Sequence, residues 1–99
     1  MFIELVDNAG LSRPEINVLV EGYEVDAVWR YQRLVVELDG RATHGTAEAF
    51  ERDRERDRVL QVTGWRPVRI TYLQMRDTPR SVGTDVRLLL AAGEGRLAA

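Results

Sequence analysis

Two short segments constrain this chain most: Tyr23-Glu24-Val25-Asp26-Ala27-Val28-Trp29 and Val35-Val36-Glu37-Leu38-Asp39-Gly40. Both read as strands, and Asp26, Glu37 and Asp39 are carboxylates that the fold must accommodate. Successive side chains on a strand point to opposite faces. Val36 and Leu38 are therefore expected in a hydrophobic core, with Glu37 and Asp39 projecting together from the other side and Asp26 joining them from the neighbouring strand. Clustered carboxylates repel one another, and proteins tolerate them where a divalent cation or a set of arginines neutralises the charge. A hard-metal site is the first expectation.

The 99 residues fit one domain with a modest core, so a single domain over 1–99 is expected. The absence of cysteine excludes thiol catalysis, disulfides and thiolate zinc sites, and nothing argues for secretion. With no signal-peptide pattern at the N-terminus and no stretch of membrane-spanning length, a cytoplasmic protein away from membranes is the expectation. Every basic side chain is arginine, which removes Schiff-base chemistry and the phosphate-loop lysine. A net charge of -2 does not itself call for nucleic acid, although fourteen guanidiniums can form a local phosphate-binding patch.

The spacing predicts a short helix from Phe2 to Asn8 closed by Gly10, then a strand from Ile16 to Val20, a tight turn at Glu21-Gly22 and a returning strand from Tyr23 to Arg30. A turn at Gln32-Arg33 leads into Leu34 to Asp39. A long helix follows from Ala47 to Thr63, with Thr46 as N-cap and Gly64 as stop. Trp65 to Thr71 reads as a fourth strand, Tyr72 to Asp77 as a helical turn, and Pro79 opens a last helix through Val82, Val86, Leu89 and Leu90, with a frayed tail from Gly93. This order predicts an α+β or mixed α/β fold, a sheet of about four strands flanked by helices. Trp29 and Trp65 fall in apolar-periodic strands and are expected in the core rather than as base-stacking platforms.

The long helix carries a dense charge run from Glu48 to Arg58, most of which reads as a solvated face with local ion pairs. Asp53 and Asp57 differ, because their spacing puts them on the face shared by Phe50 and Leu60. Buried carboxylates are expensive unless paired or ligated. These two either face the metal of the carboxylate cluster, accept hydrogen bonds from arginines, or lie at a wet edge.

Glu24-Val25-Asp26, Val35-Val36-Glu37-Leu38-Asp39-Gly40, Thr43-His44-Gly45-Thr46, Phe50-Glu51-Arg52-Asp53-Arg54 and Gly64-Trp65-Arg66-Pro67-Val68 occur in unbroken order. Together they resemble a domain family related to the very short patch repair endonucleases. The resemblance implies the restriction-endonuclease-like fold of the PD-(D/E)XK superfamily, DNA as substrate and Mg²⁺ or Mn²⁺ as cofactor. It also implies Asp26 and Glu37 as metal-binding acids, with the Leu38 backbone carbonyl completing the shell. Asp39 stands where the superfamily usually has lysine and would ligate metal or accept a proton. His44 matches a histidine that acts near the scissile phosphate, and Asp53 matches an acidic position in the following helix. The wedge aromatics and zinc ligands of the repair enzymes have no counterpart here, so mismatch repair is not implied. The first helix begins abruptly at Met1 and lacks the glutamate that relatives carry there, so it is expected to be truncated.

The resulting expectation is a metal-dependent endonuclease. Asp26, Glu37, Asp39 and the Leu38 carbonyl would hold metal, and His44 or Asp39 would relay a proton. Asp53 and Asp57 would support them, while Arg41, Arg54 or Arg58 would contact phosphates. Self-association is a further expectation, since a domain this small has few surfaces for gripping a duplex. The rival reading is a binding module for DNA or protein that kept the fold without a working metal centre.

Overall fold

The computed structural model describes residues 1–40 and 46–98, so Arg41 and His44 lie outside the described residues. The elements are α1 (Phe2–Asn8), β1 (Glu15–Val20), β2 (Tyr23–Trp29), β3 (Leu34–Asp39), α2 (Ala47–Val62), β4 (Arg66–Thr71), α3 (Tyr72–Asp77) and α4 (Pro79–Ala98). One four-stranded sheet in the order β1-β2-β3-β4 carries the fold. Its first three strands form an antiparallel meander, and β4 lies parallel to β3 after the α2 crossover. A parallel pair needs such a crossover, whereas the meander closes with tight turns. Between β1 and β2, Glu21 and Gly22 both have positive φ, 53° and 82°. That conformation matches the twist of a two-residue hairpin.

Each face of the sheet packs its own core. On one side α1, α3 and α4 bury Phe2, Leu5, Val6, Met75, Val82, Val86 and Leu90 against Ala27, Trp29, Leu34, Val36 and Ile70. Phe2 and Trp29 meet edge to face with ring centroids 6.2 Å apart, and the Trp29 indole N–H donates to the Ser12 carbonyl at 2.9 Å. On the other side a smaller group, Val20, Val25, Val28, Val35, Leu60 and Trp65, packs beneath α2. Trp65 is fixed from two directions: its indole N–H donates to Glu21 Oε1 at 3.2 Å, and the Arg33 guanidinium lies over its ring at 4.9 Å. Both tryptophans thus belong to the core, as their periodicity predicts.

Two expectations change. Phe50 is 58 % exposed, and Leu60 is the buried residue of α2. The helix is rotated so that Asp53, Arg56, Asp57 and Leu60 face the sheet, because charged partners on β3 and β4 compete successfully for that face. The last helix does not fray at Gly93 but runs to Ala98. Gly93 is a packing residue: a Cβ there would lie 2.6 Å from the Gln32 carbonyl oxygen and would also strike the Arg66 guanidinium. Arg66 in turn donates to the carbonyls of Gln32 at 2.6 Å and Leu89 at 2.9 Å, tying the helix to the β2–β3 turn.

Alternation along β2 slips at Asp26. Val25 packs in the α2-side core, whereas Ala27 and Trp29 pack in the opposite one. Between the paired residues Ile16–Ala27 and Val18–Val25 lie Asn17, with φ 52°, and Asp26. A left-handed residue inside a strand bends it locally. The bend delivers the Asp26 side chain to β3. No described helix is long and apolar enough to cross a membrane.

Candidate active site

The β2–β3 ladder is paired from Trp29–Leu34 to Ala27–Val36. Beyond it, Asp26 Oδ2 accepts a hydrogen bond from the Leu38 backbone N–H at 2.6 Å. A carboxylate thus takes over at the step where the strands part, which fixes Asp26 against the Glu37-Leu38 segment. Glu37 points to the α2 side and is only 5 % exposed, while Leu38 packs against the opposite core. The alternation read from Val36 to Asp39 holds.

Glu37 cannot be ionised cheaply. Burial pushes its pKa up from an ordinary 4.5 to about 7, the Arg56 guanidinium works against the rise, and the neighbouring Asp26 adds to it by charge and by hydrogen bonding. Its Oε1 atom is buried and has no hydrogen-bond partner among the described residues. Arg56 Nε approaches this oxygen to 3.4 Å.

Around this pair the helix and the fourth strand supply alternating charges. Arg69 stands beside Glu37 in the parallel ladder and donates to Asp39 Oδ1 at 3.1 Å and to Asp57 Oδ2 at 2.9 Å. Burial works against its charge, but the hydrogen bonds to Asp57 and Asp39 outweigh it, so its pKa is raised. Asp53 lies within ion-pair distance of both Arg56, at 3.5 Å, and Arg69, at 3.6 Å. Asp57 accepts a hydrogen bond from an arginine, as one of its three readings had it, while Asp53 sits at a more exposed edge within ion-pair distance of two. Arg54 reaches Asp57 at 3.4 Å and lies 5.1 Å from the Phe50 ring centroid. Arg58 is exposed.

The expected three-acid cluster is therefore a pair. Asp26 and Glu37 come together, Asp39 is engaged by Arg69, and among the described residues no three carboxylates converge to hold a metal ion. Arg69 displaces the expectation because it supplies the neutralising charge that Asp39 needs. A divalent ion nevertheless suits what remains: Mg²⁺ is commonly held by one or two carboxylates, its other positions being filled by waters and substrate phosphate oxygens. The unpartnered buried Glu37 oxygen beside a second carboxylate is a donor set of that kind.

Arg56 and Arg69 were not singled out by sequence reasoning. Arg56 lies four residues before Leu60 and three after Asp53, so its spacing placed it on the inward face. Arg69 occupies a polar position between Val68 and Ile70, which β-alternation directs away from the apolar core and toward the carboxylates.

This four-stranded mixed sheet flanked by helices is a restriction-endonuclease-like domain. The chain belongs to the REase_MTES_1575 family, whose model matches residues 3–89. Its fold is that of "Homing Endonuclease I-Bth0305I Catalytic Domain", with a TM-score of 0.76 over 93 % of this chain and 91 % of that one at 17 % identity. A search of curated proteins found no significant match.

Proposed function

We propose that this domain is a metal-dependent DNA endonuclease of the group similar to the very short patch repair enzymes. The observation that carries the reading is the Asp26–Glu37 pair, with its buried unpartnered oxygen, at the strand separation of a restriction-endonuclease-like family fold. Asp26, Glu37 and the Leu38 carbonyl would hold Mg²⁺ or Mn²⁺. When bound, such an ion supplies charge neutralisation at the phosphate and acidifies a water. Glu37 and Asp26 would supply the carboxylate oxygens, and the Leu38 N–H holds Asp26 in place for that role. His44 would pass a proton near the scissile phosphate, with Asp39 as the other acceptor once Arg69 releases it. Arg41, Arg54 and Arg58 would meet phosphate oxygens, and Asp53 and Asp57 would keep Arg56 and Arg69 in place. Two copies would grip a duplex more fully than one.

One observation favours a second reading, a binding module without catalysis: Arg56 and Arg69 already neutralise the carboxylates from within. The two readings separate in a supercoiled-plasmid assay with Mn²⁺. Nicking that disappears in Glu37→Ala supports the nuclease. Salt-sensitive DNA binding by a protein that does not nick supports the module.

A further inference from the structure

Arg56 holds an unusual position for a side chain in so charged a helix. Its Nε is buried and has no hydrogen-bond partner among the described residues, and the same is true of Glu37 Oε1 and Asp57 Oδ1, which it faces at 3.4 and 3.7 Å. Its Nη1 lies 3.5 Å from Asp53. The Nε group is thus held near its acids by charge, without an aligned hydrogen bond to either. Arg69 contrasts with it, donating to Asp39 and Asp57 at 3.1 and 2.9 Å. Hydrogen-bonded charge pairs are the strong ones, and a buried pair without hydrogen bonds recovers little of its desolvation cost.

We propose that Arg56 is a resident counter-cation for Glu37 in the free domain, which a divalent ion must displace from Glu37. Metal loading and the release of Arg56 are then one event. The proposal rests on the metal-dependent reading above and adds its regulation. Without Arg56 the Glu37 carboxylate loses the guanidinium 3.4 Å away, while Asp53 and Asp57 keep Arg69. With it, the free domain holds metal weakly and does not load it fully until the arginine leaves. Arg56 is accordingly a positioning residue, acting through Glu37.

The test is Mn²⁺ titration of the full chain, reading free Mn²⁺ by electron paramagnetic resonance, with circular dichroism as the check on folding. Arg56→Gln is expected to bind Mn²⁺ at least about ten-fold more tightly than wild type, Arg56→Lys to bind like wild type because the charge is kept, and Asp26→Asn to lose the site. A merely structural arginine would lower stability on substitution without tightening metal binding. A folded Arg56→Gln with equal or weaker affinity overturns the proposal. Where Arg56→Gln does not fold, the arginine Nε–Hε signal of wild type decides, assigned by its disappearance in Arg56→Lys. It is expected to shift and lose exchange protection as Mg²⁺ is added, and a signal unmoved at saturation overturns the proposal. Absence of Asp26-dependent binding in every protein tested would instead remove the metal-dependent reading itself, and this proposal with it.

Discussion

Arg69 is the ladder neighbour of Glu37, yet its guanidinium passes Glu37 by and clasps Asp39 and Asp57. That choice binds β3, β4 and α2 together and leaves Arg56 as the guanidinium nearest Glu37. Since Leu60 is the buried residue of α2, the clasp is a principal anchor of the helix.

Removing the clasp should loosen the helix. Arg69→Ala leaves two partly buried carboxylates without their donor and is expected to cost about 1–3 kcal/mol in urea unfolding. Arg54→Ala, which removes an exposed partner of the same Asp57, should cost less than about 1 kcal/mol. Equal effects of the two would mean that Arg69 is no anchor.

Asp26 has a separable structural duty. Asp26→Asn retains an oxygen that can accept from the Leu38 N–H and should fold with little loss, whereas Asp26→Ala leaves that N–H without its acceptor and should cost about 1–3 kcal/mol. Both should abolish any rise in Tm produced by millimolar Mg²⁺ or Mn²⁺ in wild type. Thermal melts of the three proteins with and without metal read both effects.

The raised pKa of Glu37 sets a pH dependence. Burial, reinforced by Asp26, makes the folded protein hold this proton to about pH 7, while an unfolded glutamate releases it near 4.5. The folded state therefore binds more protons between those values, and this carboxyl's contribution to stability falls as pH rises through that window, by a few kcal/mol at most (roughly 1.4 kcal/mol per pH unit). Asp7 and Asp77, held below the usual carboxylate range by hydrogen bonds from Arg13 and Arg76, act in a more acidic window and with the opposite sign. Denaturation at pH 5, 6 and 7 should show the decline in wild type, and Glu37→Gln should flatten it. Metal binding should weaken as pH falls through the same range, because the ion competes with the proton.

Gly93 tests the packing of the last helix. Gly93→Ala is favourable for helix propensity but puts a methyl group against the Gln32 carbonyl and Arg66. The close contact should win, with a net loss of about 1–3 kcal/mol by chemical denaturation.

The meander, the crossover helix and the fourth strand were legible because period-2 and helical spacings are strong along those stretches, and β3 kept its alternation from Val35 to Asp39. The outward turn of Glu37 was legible for the same reason, whereas Asp26 reaches it through a slip in β2 that period-2 spacing does not show. The face of α2 departs from its apolar spacing at Phe50, because three ion pairs that form only once β3 and β4 are in place outweigh one aromatic. The partners of Arg56 and Arg69 were not legible, although spacing turns both side chains inward, because neither helical nor strand periodicity says which distant carboxylates a side chain will meet. Gly93 looked like a helix end, although its small size answers a steric demand made by a turn more than fifty residues away in sequence.

The slip at Asp26 makes that residue a fulcrum. Immediately before it the chain leans into one hydrophobic layer through Val25, and immediately after it into the other through Ala27. The carboxylate between them therefore takes its position from a balance of two opposing layers. Loss of bulk in either one would tilt the same lever in opposite directions, so residues far from the acids, on both faces of the sheet, share in setting the gap between Asp26 and Glu37.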